Sequence, residues 1–299
     1  DVSGGTTVAG PGGGSQGSET PVVVVSNSLL ETTGGEGTSG EISFGNSGGR
    51  ARGIQPQGKS ITYLYNSAIV SRTWGAWSTD SARQGLDLVA WRSLGLSQGG
   101  YGAYADWGCH DVFNDCKFDV ACQGAIVAGE ASVKWTGSEI SCGSYLALMH
   151  CVMGRHTEVG ELTLTDCDVK TGKTAIEVHG QNVVVSLENC NIETGGALMR
   201  TCKNGDPNAA RVNGRPTPGD ELHLKDMSVT GDILHEDPER DCRVYLTSTC
   251  LTGAIVNAAL IMDGGSRWYA TADSSVVLGG DLEIAQIDAP AGVTVTAES

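Results

Sequence analysis

The chain has 299 residues and a formal net charge of -16, with 35 acidic side chains against 19 basic ones. Such a charge repels nucleic acid phosphates and anionic membrane surfaces, so we expect neither as a partner. The sequence has 43 glycines, 8 prolines and 3 phenylalanines, a balance that suits many tight turns between short strands and predicts an all-β protein.

Residues 1–20 contain glycine, serine and threonine with almost nothing to bury. They predict a flexible tail, and we expect residues 21–299 to form one domain. The longest apolar runs, such as Pro21–Val25, are too short to span a bilayer, so no membrane insertion is expected.

A short pattern then repeats along the chain: apolar residues alternate, an Asn, Asp or Gly follows, and apolar residues alternate again. In chain order the copies are Thr62–Ile69, Phe113–Phe118, Val133–Ile140, Leu162–Val169, Val185–Ile192 and Leu222–Val229, with a less regular copy ending at Leu246 and Cys250. The two clearest copies are about 23 residues apart. Apolar clusters in residues 83–107 predict a further copy without an Asn-like residue. A polar insert near 203–218 is expected to be a loop.

Apolar residues occupy every second position on each side of the Asn, Asp or Gly, but the alternation is displaced by one residue across it. A residue that tolerates positive φ bends the strand there while both halves keep facing the interior. The predicted bend residues are Asn66, Asp115, Gly137, Asp166, Asn189 and Asp226. We expect the side chains of Asp166, Asn189 and Asp226 to hydrogen-bond to neighbouring backbone and not to act in catalysis.

A second apolar strand follows the bend in several copies, at Leu146–Leu148, Ala175–Val178, Ala197–Met199 and Ile233–Leu234. No segment has the 3.6-residue period of a helix, so we expect no crossover helices and therefore no Rossmann-like or barrel fold. Short strands repeating every 22 to 24 residues or so predict a right-handed parallel β-helix, a solenoid of roughly ten coils and on the order of 50 Å long.

The stacked L-x-N/D-C-x-V/I motif from Leu64 to Val229 resembles the right-handed parallel β-helix proteins of the pectin-lyase-like superfamily, over roughly residues 50–285. That superfamily includes polysaccharide lyases, hydrolases and adhesin-like surface proteins without a catalytic site, so the resemblance implies the fold more than the function. The enzymatic branches imply aspartates clustered on adjacent coils. This sequence has no such cluster outside the bends and the insert, and its glycine-rich stretches are similar to the surface-protein branch.

Ten cysteines occur without a paired C-x-x-C zinc spacing, so we expect an oxidising compartment, no metal and no cofactor. The absence of an N-x-S/T acceptor favours a bacterial exported protein. Cys116, Cys167, Cys190 and Cys250 are expected at one inward position of the repeat, as buried structural thiols. The other six are expected to form disulfides, for which Cys109–Cys122, Cys142–Cys151 and Cys202–Cys242 are candidate pairs; the sequence leaves the pairing open.

The candidates for chemistry form a column on the second strand of consecutive coils: His150, Glu177, His179, Arg200 and His235 with Glu236. Stacked coils can bring these side chains together on one exterior face, where a carboxylate, a cation and imidazoles suit acid–base work on a glycan. Solvated surface charge is the competing interpretation.

Four aromatic residues lie in glycine-rich segments: Trp74, Trp77, Tyr101 and Tyr104. On exposed loops their rings can stack on sugar faces or anchor a protein, whereas buried rings would cap the open end of the solenoid.

The first functional hypothesis is a non-catalytic secreted or cell-surface β-helix, adhesin-like or a scaffold, that binds a glycan or an extracellular protein. The alternatives are a carbohydrate-active enzyme that uses the charged column, and a filament subunit that associates end to end through its exposed strand edges.

Overall fold

The computed structural model describes residues 20, 22–32, 52–56, 58–72, 74–80, 85–150, 159–203, 219–237, 240–279 and 284–298. The predicted tail, apart from Thr20, and the predicted insert from residue 204 onward lie outside them. Strands of successive coils pair in parallel. The described residues contain one short 3-10 helix, Ile284–Gln286. None of the described segments is a helix long and apolar enough to cross a membrane.

The strands of the solenoid form three faces. Face 1 contains β1 (Val22–Ser26), β3 (Ser60–Tyr65), β6 (Leu86–Trp91), β9 (Cys109–Asn114), β12 (Ser132–Thr136), β15 (Val159–Thr165), β18 (Asn182–Glu188), β21 (Asp220–Lys225), β24 (Cys242–Thr247), β28 (Ser274–Gly279) and β30 (Val295–Glu298). Face 2 contains β2 (Leu29–Thr32), β4 (Ala68–Ser71), β7 (Leu94–Ser97), β10 (Lys117–Val120), β13 (Glu139–Cys142), β16 (Asp168–Thr171), β19 (Asn191–Thr194), β22 (Ser228–Thr230), β25 (Cys250–Thr252), β27 (Arg267–Tyr269) and β29 (Ile287–Asp288).

Face 3 contains β5 (Trp77–Asp80), β8 (Ala103–Asp106), β11 (Ala125–Ala128), β14 (Ala147–His150), β17 (Ile176–His179), β20 (Met199–Cys202) and β23 (Ile233–His235). The strand β26 (Ile255–Met262) begins on face 3, beside β23, and ends on face 1, beside β24. The predicted parallel β-solenoid is therefore confirmed, and the second apolar strand of the sequence pattern is face 3.

The corner between faces 1 and 2 is the predicted bend. All six predicted residues have positive φ, between 45° at Asn66 and 58° at Gly137. Arg92 takes the same conformation, with φ 46°, so residues 83–107 do include a coil although its bend residue is an arginine. Two of the bend residues bond to each other between coils, where bonds to neighbouring backbone were expected: Asn189 Nδ2 donates to Asp166 Oδ1 at 2.6 Å.

The residue after the bend occupies one buried position in successive coils, which holds Ser67, Ser93, Cys116, Ser138, Cys167, Cys190, Met227 and Thr249. Except at Met227, the hydroxyl or thiol at this position donates to the carbonyl two residues earlier, as Cys116 Sγ does to Asn114 O at 3.2 Å. Burial raises the pKa of Cys116 to about 11, as expected for a structural thiol. The placement of Cys250 here was wrong, because Thr249 fills the position.

The interior is filled by columns of side chains in register. One column on face 1 consists of Leu64, Ala90, Phe113, Trp135, Leu164, Leu187, Leu224 and Leu246. Trp77 of face 3 is fully buried against Phe113 and Phe118, with ring centroids 5.2 and 4.8 Å away. A Cβ on Gly95 would lie 1.9 Å from the Trp77 ring, so only glycine leaves space for this indole.

One carboxyl group lies inside this apolar interior. Asp111 has no exposed surface and stacks between Leu88 and Val133 of the neighbouring coils. Thr79 Oγ1 donates to Asp111 Oδ1 at 3.0 Å. Burial raises the pKa of Asp111 well above its ordinary value, and the hydrogen bond from Thr79 offsets only part of that effect.

A buried polar network fastens the corner between faces 3 and 1. Arg240 donates to Asp220 Oδ1, to the Gln181 carbonyl and, at 3.2 Å, to Asn182 Oδ1. Gln181 Nε2 in turn donates to Gly129 O at 2.8 Å. Burial raises the pKa of Asp220 to about 7, although Arg240 acts in the opposite direction. The network joins coils on either side of the insert.

Candidate functional site

The outer side of face 3 brings titratable side chains together. In β17, Ile176 and Val178 point inward, so Glu177 and His179 point outward. The register of the next coil places Arg200 opposite Glu177 and Cys202 opposite His179. With Glu236, which contacts Arg200, these side chains are called the charged cluster.

Arg200 bridges the two carboxylates of the charged cluster. Its Nη1 donates to Glu177 Oε1 at 2.9 Å and its Nη2 donates to Glu236 Oε2 at 2.7 Å. The His179 Nε2 atom lies 3.2 Å from the same Glu177 oxygen. The Glu177 side chain is only 2% exposed, so this carboxylate is held between two cationic groups beneath the surface.

The protonation states follow from these contacts. Hydrogen bonds to Cys202 and to Glu177 raise the pKa of His179 to about 9, so the imidazole is cationic at neutral pH. The hydrogen bond from Arg200 lowers the pKa of Glu236. A glycoside hydrolase needs one carboxylic acid with a raised pKa, and Arg200 opposes that role for Glu236.

The charged cluster also offers a set of donors that could hold a metal ion. One ligand atom each of Glu177, His179 and Cys202 lies within 4.8 Å of the other two. Cysteine spacing along the chain predicted no metal site, because these three donors come together only through the register between neighbouring coils.

The predicted column is only partly formed. Glu177, His179, Arg200 and Glu236 come together, and His150 stacks beside His179 in the neighbouring coil. The placement of His235 was wrong: it stacks on Thr201, whose side chain points inward, and its Nε2 lies 2.8 Å from the Arg240 carbonyl oxygen. It is Leu234 that stacks on Arg200.

The predicted disulfides are not formed among the described cysteines, because Cys109, Cys122, Cys142, Cys202 and Cys242 are all free thiols. Cys109 begins β9 on its inward side, whereas Cys122 lies in the turn after β10. Similarly, Cys202 points outward while Cys242 points inward, and side chains on opposite sides of a sheet cannot be bridged. Cys151 lies outside the described residues. Sequence reasoning therefore missed Cys202 as a member of the charged cluster.

The four predicted ligand-binding aromatics are packed side chains. Trp77 and Tyr101 are buried, so the prediction that they face a ligand was wrong. The Trp74 and Tyr101 rings meet edge to face at 5.8 Å, and the Arg52 guanidinium lies 4.4 Å from the Trp74 ring centroid. Tyr104 is half-buried against Tyr101, with ring centroids 5.6 Å apart. The four residues thus contribute to packing at the N-terminal coils.

A different set of aromatic side chains is exposed on the outer side of face 1. The Tyr65 and Trp91 rings stack at 4.8 Å and 3°, and Tyr63 lies beside both. Val22 and Val24 of β1 extend this surface and are 56% and 61% exposed. These five residues are called the aromatic patch. The alternation of the Thr62–Ile69 copy already places Tyr63 and Tyr65 on the outer side, which is the signal that sequence reasoning overlooked.

Tyr65 is the exposed end of the aromatic stack. In register, Tyr65 lies between Trp91 and Ser26, so among the described residues an indole covers one ring face and a small side chain is the neighbour on the other side. Tyr65 is 36% exposed.

Comparisons of the chain with protein-family models, curated proteins and solved structures give no match. The strand pairings are the evidence for the parallel β-solenoid. The charged cluster and the aromatic patch are the features of the structure that bear on function.

Proposed function

We propose that this protein is a non-catalytic secreted or cell-surface β-helix, similar to the adhesin-like branch of the pectin-lyase-like superfamily, that binds a glycan through the aromatic patch. The observation that carries the proposal is the exposed ring of Tyr65, which stacks on Trp91 and has the small Ser26 as its neighbour in the preceding coil. The C–H groups of a sugar ring pack against such a face, and the flanking Val22 and Val24 add apolar contact.

The charge of the protein narrows the ligand class. A net charge of -16 repels polyanionic glycans, so the proposal favours a neutral or amino-bearing glycan. An extracellular location is supported by this acidity and by the solenoid architecture, and not by disulfide bonds, since the described cysteines are free.

A glycan array probed with the full chain tests the proposal. Binding should weaken about 2- to 10-fold in Tyr65→Ala, from the loss of one ring contact. Tyr269→Ala is the matched control, because Tyr269 is 43% exposed on face 2, away from the patch. Equal binding by Tyr65→Ala and the wild type would overturn the proposal, as would binding to an extracellular protein alone.

The enzymatic alternative has its own test on the same preparation. Depolymerisation of acidic or neutral polysaccharides that is abolished by Glu177→Gln would show that the charged cluster is catalytic. We expect no turnover, because Arg200 holds both carboxylates of the cluster.

End-to-end assembly is a second candidate function, favoured by the terminal strands. Among the described strands, β1 pairs only with β3 and β30 pairs only with β28, which leaves one edge open at each end. Light scattering over a dilution series tests this candidate: filaments would dissociate on dilution, whereas a monomer would give a constant mass.

A further inference from the structure

The charged cluster contains the donor types that bind transition metals. Imidazole nitrogen and thiolate sulfur are ligands that Zn²⁺ prefers, and carboxylate oxygen completes many zinc sites. Glu177, His179 and Cys202 supply one of each, with all three donor atoms within 4.8 Å of one another. Two adjacent strands of the parallel ladder hold them, so the backbone spacing between the donors is fixed.

We propose that Glu177, His179 and Cys202 form a binding site for Zn²⁺ or a similar transition-metal ion on the outer side of face 3. The ion takes the imidazole nitrogen, the thiolate and one carboxylate oxygen. Binding releases the imidazolium proton and the thiol proton to solvent, and no electrons are transferred. Three protein donors leave the fourth position of a tetrahedral ion to water, which is the arrangement of zinc sites that keep an open position.

The distances suit this coordination. Bonds of about 2.0 Å to nitrogen or oxygen and 2.3 Å to sulfur place the donors of a tetrahedral zinc ion roughly 3.3 to 3.6 Å apart. His179 Nε2 and Glu177 Oε1 are already 3.2 Å apart. Since the Cys202 sulfur lies within 4.8 Å of the other two donors, it needs to approach them by at most about 1.3 Å, which side-chain rotation can supply.

The charges balance once the ion is bound. The carboxylate of Glu177 and the thiolate of Cys202 neutralise a divalent cation, while Arg200 is neutralised by its ion pair with Glu236. Arg200 also donates to Glu177 Oε1 and so orients the ligating carboxylate, the role of an outer-shell partner at many metal sites. Ca²⁺ and Mg²⁺ do not fit, because they require several oxygen ligands.

Cobalt titration of the full chain, freed of metal by chelation and then dialysed, tests the site. We expect one equivalent of Co²⁺ to produce the intense near-ultraviolet absorption of a thiolate bound to cobalt, and Zn²⁺ to displace it. Cys202→Ser should abolish that absorption, and His179→Gln should weaken cobalt binding by at least about 100-fold, more than the loss of an outer-shell partner does. Cys250→Ser and His223→Gln are the matched controls and should leave binding unchanged.

Alkylation of the wild-type protein tests the same site without depending on the folding of a variant. Zn²⁺ should slow the reaction of Cys202 with iodoacetamide, mapped by mass spectrometry, while Cys250 reacts at an unchanged rate and Ca²⁺ protects neither. Absence of the cobalt absorption, its persistence in Cys202→Ser, or equal alkylation of Cys202 with and without Zn²⁺ would each overturn the proposal. These results do not depend on glycan binding, so the site and the proposed function can fail separately.

Discussion

The carboxyl group of Asp111 makes the stability of the solenoid depend on pH in a direction that can be measured. Burial raises its pKa in the folded protein, whereas in the unfolded chain an aspartate ionises near pH 3.9. Between these two pKa values the folded protein binds more protons than the unfolded chain. The free energy of unfolding therefore falls as pH rises through this window, by up to about 1.4 kcal/mol per pH unit for one proton.

The variant Asp111→Asn removes this titration and keeps the size of the side chain. Its amide oxygen can still accept the bond from Thr79 that Asp111 Oδ1 accepts at 3.0 Å. We expect the variant to gain stability relative to the wild type as the pH rises above the pKa of an unfolded aspartate, by up to about 1.4 kcal/mol per pH unit. Urea denaturation followed by tryptophan fluorescence at each pH gives both free energies.

Asp119→Asn is the control for this experiment, because Asp119 is an exposed aspartate on face 2, in β10. Its pH profile should follow that of the wild type. If the profiles of Asp111→Asn and the wild type run parallel from pH 4.5 to pH 7, the Asp111 carboxyl group is not buried in the interior.

Three further predictions follow from the packing. Trp77→Ala removes a fully buried indole and should cost about 3 to 5 kcal/mol in urea denaturation, and a cost below about 1 kcal/mol would contradict its place in the core. Asn189→Val forces a β-branched residue to φ 50° and should cost about 1 to 3 kcal/mol, whereas Asn189→Gly should retain most of the stability; equal melting temperatures would refute the bend. Arg240→Met leaves the Asp220 carboxylate buried without its partner and should lower the free energy of unfolding by about 3 to 5 kcal/mol at pH 8. Adding Asp220→Asn should restore part of that stability. An Arg240→Met variant as stable as the wild type would contradict the network.

The bend and the interior columns could be predicted because both are local properties of the sequence. Asn and Asp tolerate positive φ, and the change of parity across them is visible in a single copy such as Leu162–Val169. Arg92 marks the limit of this reasoning. Once the neighbouring coils are stacked, their packing imposes the bend on a residue with no special tolerance for it.

The charged cluster could be predicted only in part, because its contacts depend on register between coils. Arg200 and Glu236 meet although the polar insert lies between them in the chain, and nothing in the sequence fixes how that insert returns. The sequence pattern predicted His235 on the outer side of face 3, but a difference of one residue in register places Leu234 there and turns His235 inward. Similarly, Trp77 is buried because Gly95 of the next coil leaves room for it, a contact between segments that no single repeat contains.

Successive bends stack at the spacing of neighbouring parallel strands. Pulsed electron resonance between pairs of spin labels, introduced through unnatural amino acids, measures this stacking directly. One pair is Asn66 and Asp226, six coils apart, and the other is Asp115 and Asp226, four coils apart. The first distance should exceed the second by about 10 Å, two strand spacings of roughly 4.8 Å each. Equal distances, or a first distance shorter than the second, would contradict the stacked solenoid.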